Sequence, residues 1–133
     1  MTGGNWPVPP PEHVATRERA GLFDETSFAK LEVSGPGACA FLQRICANDV
    51  DVPAGRVVYT QMLNRRGGIQ CDLTVTRLSA DRFRIVTGTA SGSLDLAWIV
   101  GRLGSGERVE ISDVTSSLAC LGLWGPRARD IIS

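Results

Sequence analysis

The sequence predicts an α+β fold: an antiparallel sheet with helices packed mainly on one face. Two β-rich runs, Val57–Leu63 and Ile69–Leu78, flank the turn-forming stretch Asn64-Arg65-Arg66-Gly67-Gly68, a strong hairpin signal. Two amphipathic helical segments, one opening at Ser34-Gly35-Pro36 and one at Ser91, are set among the strands. Hairpins interleaved with helices favour an antiparallel sheet over the parallel sheet that strict strand–helix alternation builds.

The elements follow in order. Residues 1–11 (MTGGNWPVPPP) read as an extended lead-in, because proline lacks the N–H and the backbone freedom that an early helix needs. From Glu12 to Ala20 the composition turns helical, and Gly21 is a natural stop. Phe28 to Val33 alternates Phe28, Lys30 and Glu32 against Ala29, Leu31 and Val33, a strand with one apolar face. In the helix after it, Ala38, Phe41, Leu42, Ile45 and Cys46 recur at i, i+3, i+4, i+7 and i+8, a stripe suited to packing on a sheet. Pro36 is tolerated in its first turn.

Beyond the hairpin, Ala80-Asp81 turns the chain into the strand Phe83–Thr87. Ser91 to Leu103 reads as a second amphipathic helix with Leu94, Ala97 and Trp98 on its inner face. Val109–Val114 and Leu118–Trp124 are further strands joined by Thr115-Ser116-Ser117, and Gly125-Pro126 starts a last helix. Residues 12–133 are expected to form one portion of a longer domain.

Composition narrows the function. The 133 residues carry 43% hydrophobic and 21% charged side chains, the balance of an ordinary soluble globular chain. Lys plus Arg and Asp plus Glu are both 14, so the formal net charge is zero. Nucleic acid is therefore not the expected partner, since binding its backbone needs a cationic excess. Arg65-Arg66 and the pair Arg127 and Arg129 are local basic spots only. The four cysteines (Cys39, Cys46, Cys71, Cys120) lack metal-type spacing, and His13 is the one histidine, so no metal site is expected. Reduced, mostly buried thiols suit a cytoplasmic protein. No apolar run approaches the ~18 residues of a membrane span.

The residue that asks for an explanation is Asp72, in Gly67-Gly68-Ile69-Gln70-Cys71-Asp72-Leu73-Thr74-Val75. Aspartate is disfavoured in strands, because its side chain competes for backbone groups and its charge favours water. Alternation sends Cys71, Leu73 and Val75 to the core and Asp72, Thr74 and Thr76 to the other face. If Asn64 pairs opposite Gly67, Tyr59 stands across from Asp72. Val86 and Gly88 of the next strand extend the same surface, the glycine allowing close approach of a ligand. Two readings remain. The face is either solvated, as in many antiparallel sheets, or a ligand platform with an aromatic wall, a hydroxyl row and one carboxylate, suited to a flat heteroaromatic ligand with N–H donors.

The stretch YTQMLNRRGGIQCDLTVTRL (Tyr59–Leu78) resembles the core segment of the glycine-cleavage T-protein (aminomethyltransferase) family. It is most similar to the branch formed by the folate-binding half of dimethylglycine and sarcosine dehydrogenases. Supporting blocks are RERAGLFDETSFAKLEVSGPGACAFLQRICANDV, RIVTGTA, DLAWI and DVTSSLACLGLWGPRARDII, and they cover nearly the whole chain in the expected order. The resemblance implies a tetrahydrofolate site in which Asp72 is the acidic residue beside the reacting nitrogens. It implies capture of a one-carbon unit from an amine-derived donor, giving 5,10-methylenetetrahydrofolate. It places Tyr59, Thr74, Thr76, Val86 and Gly88 at pterin-pocket positions and Phe28 at a hydrophobic position near the ligand.

The resemblance implies that the family's folate-binding half is roughly two to three times as long as this chain and spreads over more than one domain, a single domain being commonly ~100–150 residues. A second-half glutamate that grips the pterin has no counterpart here, and no G-x-G-x-x-G follows a strand, so FAD would belong to a separate or missing domain. The chain is therefore expected to be a fragment whose pocket is completed by a homodimer or another chain. The alternative is a non-catalytic folding or dimerisation module that keeps the sheet.

Overall fold

The computed structural model describes residues 10–133. In chain order its elements are α1 (Pro11–Glu18), β1 (Gly21–Asp24), β2 (Ala29–Ser34), α2 (Ala38–Ile45), β3 (Val57–Leu63) and β4 (Ile69–Arg77). They continue with β5 (Arg82–Thr87), α3 (Gly92–Val100), β6 (Glu110–Asp113), a 3-10 turn at Thr115–Ser117, β7 (Leu121–Trp124) and α4 (Ala128–Ile132). The α+β class and the antiparallel sheet are as the sequence predicts. The chain divides into two units, residues 26–119 and a second unit made of both chain ends.

In the larger unit five strands form one antiparallel sheet in the order β3-β4-β5-β2-β6. Alternation decides its two faces. One face gives Leu31, Val33, Met62, Cys71, Leu73, Val75, Phe83 and Ile85 to a core closed by Ala38, Phe41, Leu42 and Ile45 of α2 and Ile99 of α3. Each large side chain fully buried there contributes about 1.5–3 kcal/mol of apolar transfer. The opposite face carries the polar rows.

The hairpin turn is built by its own side chain. Asn64 Oδ1 accepts from the N–H groups of Arg66 (2.8 Å) and Gly68 (3.1 Å), and Gly67 takes the left-handed conformation at φ +79°. Gln70 is an extra residue between the pairs Leu63–Ile69 and Met62–Cys71, a bulge that resets the register. Gln61 therefore pairs with Asp72, and Tyr59 with Thr74, in place of the expected Tyr59–Asp72 pair. The outer edge of β3 is engaged by the segment after α2. Ala47 N–H donates to Gln61 O (2.8 Å), and Asn48 Nδ2 donates to Tyr59 O (2.7 Å).

Two faces differ from expectation. In α3 the inward residues are Gly92, Asp95 and Ile99, with Trp98 partly covered, while Ala97 is exposed and Leu94 is 72% exposed. The reason is a buried carboxylate bonded from the sheet, described below. In β2 both faces are buried, because Lys30 Nζ is tied to Thr26 O (2.7 Å) and Glu32 is held by Arg82 and Arg84.

The second unit holds a two-stranded antiparallel sheet of β1 and β7 with α1 and α4. Gly21 opens β1 after α1 ends at Glu18, so the expected helix stop is a strand start. Residues 1–9 of the expected lead-in lie outside the described residues. Leu22, Leu121, Trp124, Ile131 and Ile132 of this unit are exposed. Among the described residues no helix is long and apolar enough to cross a membrane.

Candidate functional site

On the face of the large sheet turned away from the helices, register aligns side chains in rows across the strands. One row reads Tyr59, Thr74, Val86, Lys30, and the next reads Val57, Thr76, Arg84, Glu32. On the other side of the first row stand Gln61 and Asp72, and Gly88 follows directly on Thr87, the residue paired with Leu73. A shallow cavity of about 250 Å³ lies here, lined by Phe28, Tyr59, Asp72, Thr74, Val86 and Gly88, with Leu73 and Thr87 as its floor. Six of the seven residues expected at the site thus line one cavity. Thr76 shares the face but stands outside the lining.

Asp72 is exposed and is held in place by a neighbour on β3. Gln61 Nε2 donates to its Oδ1 at 3.0 Å. The same carboxylate lies beside the Tyr59 hydroxyl and pushes the phenol pKa above its ordinary 10.0. Tyr59 is 59% exposed, so its ring is an open wall. Gly88 leaves the cavity edge free of a side chain; a Cβ there would meet Ser91 Oγ at 3.4 Å. An ionised carboxylate here is an acceptor for N–H groups and a stabiliser of positive charge on nitrogen.

Tyr59 is the only tyrosine, which makes its state directly readable. The carboxylate favours the neutral phenol, so the stability this pair adds is present below pH 10 and lost as pH rises through the raised value. Titration of tyrosinate absorbance is expected to give a midpoint above 10, and Asp72→Asn is expected to return it towards 10. Superimposable curves would show that the two groups are not neighbours in solution.

Two supporting clusters were not identified from the sequence. Beneath the cavity floor, Asp95 of α3 is 3% exposed and accepts a hydrogen bond from Thr87 Oγ1 at 2.5 Å. Burial, reinforced by Asp95, pushes the Cys71 thiol up to about 12. Asp95 thereby ties α3 to the strand residues that adjoin Gly88 and Asp72. Its signal in the sequence is a lone carboxylate inside the apolar run Leu94–Val100. Beside the cavity, Glu32 accepts from Arg82 Nε (2.8 Å) and Arg84 Nη2 (2.6 Å). The Arg84 bond is the main cause holding its carboxyl below the ordinary 4.5. Among the described residues no group of three His, Cys, Asp or Glu is placed to hold a metal ion.

Fold and site together define an α+β domain that presents a carboxylate, a phenol ring and a bare glycine edge on the open face of an antiparallel sheet. Comparison with known proteins gives this class a family. The chain belongs to the family described as the GCVT N-terminal domain, whose model matches residues 6–133. It is 41% identical over 122 residues to the 4-methylaminobutanoate oxidase (formaldehyde-forming) of Paenarthrobacter nicotinovorans, covering 92% of this chain and 15% of that protein. It is 40% identical over 123 residues to the aminomethyltransferase of Alcanivorax borkumensis, covering 92% of this chain and 33% of that one. Among solved structures it is similar to the glycine cleavage system aminomethyltransferase T of Bartonella henselae, with a TM-score of 0.81 and 33% identity over 91% of this chain and 33% of that one. The chain thus spans about a third of the aminomethyltransferases it matches and a smaller share of the oxidase. A heterotetrameric sarcosine oxidase from Corynebacterium shares the fold at a TM-score of 0.64 and 21% identity, covering 90% of this chain and 58% of that one.

Proposed function

We propose that the chain is the first part of a tetrahydrofolate-dependent one-carbon transfer domain, and that the cavity at Asp72 receives the pterin end of the folate. The observation that carries this reading is the position of Asp72, held by Gln61 and set beside Tyr59 at the rim of a cavity with one aromatic wall and one glycine edge. The residues suit such a group: a carboxylate accepts from ring N–H donors, a phenol ring packs on a flat heterocycle, and a glycine admits it close to the backbone. At about 250 Å³ the cavity takes a ring and not a whole folate, since ligand pockets commonly measure roughly 300–1,000 Å³. Further sequence or a complementing chain supplies the rest.

When bound, tetrahydrofolate supplies the nitrogens that accept the one-carbon unit. The work of this chain is then orientation and proton handling. Asp72 accepts the proton released from a folate nitrogen as that nitrogen bonds to carbon, or holds the positive charge that develops there. Tyr59 lines the ring, its hydroxyl beside the carboxylate. Phe28 and Val86 exclude water from one side. The donor is an amine-derived aminomethyl or iminium carbon, whose bond to the donor nitrogen breaks as its bonds to the two folate nitrogens form, the donor nitrogen leaving as ammonia or an amine; any flavin-dependent oxidation producing it belongs to another domain.

Calorimetric titration with tetrahydrofolate and with p-aminobenzoylglutamate, which lacks the pterin, tests this directly. Saturable binding of the first alone is expected, weakened about 2–12-fold by Tyr59→Ala as an aromatic contact is lost. Equal binding of both compounds, or of neither, would sink the pterin site. The exposed Leu22, Leu121, Trp124, Ile131 and Ile132 favour a second reading, a non-catalytic association module. Sedimentation showing a stable oligomer of this chain, together with no folate binding, would establish it.

A further inference from the structure

A second cleft, of about 440 Å³, lies among the end of α2, the β3–β4 turn and the end of α3. None of its lining residues lines the Asp72 cavity. Three arginines face it, Arg44, Arg65 and Arg102, and no carboxylate does. Its apolar walls are Ile45, Leu63 and Trp98.

The arginines at this cleft are located by the fold. Arg44 Nη2 bonds both carboxylate oxygens of Glu107 at 2.6 and 2.9 Å, and its guanidinium lies 5.3 Å from the centre of the Phe41 ring. Glu107 is itself fixed by the N–H of Gly104 at 2.6 Å. The Arg102 guanidinium stacks over Trp98, 4.5 Å from the ring centre. Arg65 rides on the turn that Asn64 closes. Counting Glu107 as −1 against three guanidinium groups leaves +2 at this place, in a chain whose formal net charge is 0. Among the described residues, the guanidinium groups of Arg65 and Arg102 have no hydrogen-bond acceptor. The positive charge is concentrated, partly immobilised and left with spare N–H donors.

We propose that this cleft is a binding site for a small oxyanionic ligand, one that carries a phosphate or carboxylate group on an apolar body. Guanidinium forks bind both groups through paired N–H···O bonds, and two forks held apart by Trp98 and the turn suit an anion with more than one oxygen. The volume lies within the range of small-molecule sites. The walls of Leu63, Ile45 and Trp98 give the apolar part of such a ligand a surface to cover. The cleft holds its ligand without reacting with it: burial pushes the neighbouring Cys46 thiol up to about 12, so it stays protonated and un-nucleophilic at neutral pH.

The test is isothermal titration of the full chain with two probes, pyrophosphate and citrate, in a buffer free of phosphate and carboxylate at low ionic strength. One saturable site is expected for at least one probe. Arg102→Gln should weaken it about tenfold or more, and the double variant Arg65→Gln/Arg102→Gln further still. Added salt should weaken it in the same way. Arg65 lies exposed in its turn and Arg102 half-buried over Trp98, so the unfolding midpoint of each variant is measured beside the titration to show that the protein tested is folded. Pyrophosphate alone binding would identify a phosphate ligand, and citrate alone a polycarboxylate. Absence of saturable binding by either probe would overturn the proposal, as would binding that survives unchanged in the double variant.

Discussion

Replacing Asp72 by asparagine in the protein that carries this domain is expected to lower one-carbon transfer to tetrahydrofolate by about 10²–10⁴-fold in kcat/KM, the contribution of one positioned acid–base group. Asparagine matches aspartate in shape. Its amide oxygen still accepts from Gln61 Nε2, so the local geometry persists. What it cannot do is take up a proton or balance a positive charge on nitrogen. Because Asp72 is exposed, the same change should leave stability within about 0.5 kcal/mol. Steady-state kinetics beside urea unfolding reads both quantities. Unchanged kcat/KM would remove Asp72 from the chemistry, and a large stability loss would show that its role is structural.

The second large effect is on stability. Phe41→Ala is expected to destabilise the unit of residues 26–119 by about 3–5 kcal/mol, because the truncation forfeits transfer energy and leaves a cavity that packed neighbours fill only in part. Phe41 is 1% exposed, on the inner face of α2 within the cluster that includes Leu31, Val33 and Phe83. Whole domains are stable by only about 5–15 kcal/mol, so this one ring is a large fraction of the total. The ring also backs the Arg44 guanidinium. Urea unfolding followed by circular dichroism measures the loss. A shift under about 1 kcal/mol would mean that the helix does not seat on the sheet as described.

What could be read in the sequence was what short-range chemistry decides. The hairpin was legible because Asn64 and Gly67 build the turn from within. The face occupied by Asp72, Thr74 and Thr76 was legible because strand alternation has a period of two. The register was not, because the bulge at Gln70 is a backbone choice that composition does not mark, and it moves Gln61 into the place expected for Tyr59. The inner face of α3 is hidden in the sequence for a different reason. A carboxylate in a helix is expected outside, and Asp95 is inside because Thr87, brought from a strand, supplies a donor. Alternation alone puts Lys30 and Glu32 on the polar side of a strand; Thr26, Arg82 and Arg84 bury them instead. β1 was missed because it pairs with β7 from the far end of the chain, and four residues carry no period worth reading.

The bonds from Ala47 and Asn48 to the outer side of β3 bear on how copies of the molecule behave when crowded. A border strand with bare N–H and C=O groups is a template on which a stray chain adds, the first step towards fibrils. Here Gln61 O and Tyr59 O are already taken, one by a main-chain N–H and the other by an amide side chain. At the opposite border β6 is only four residues long. The sheet is thus stopped at both margins, one plugged and one too short to template, and the face that carries Asp72 can stay open to solvent without this sheet polymerising through its rims.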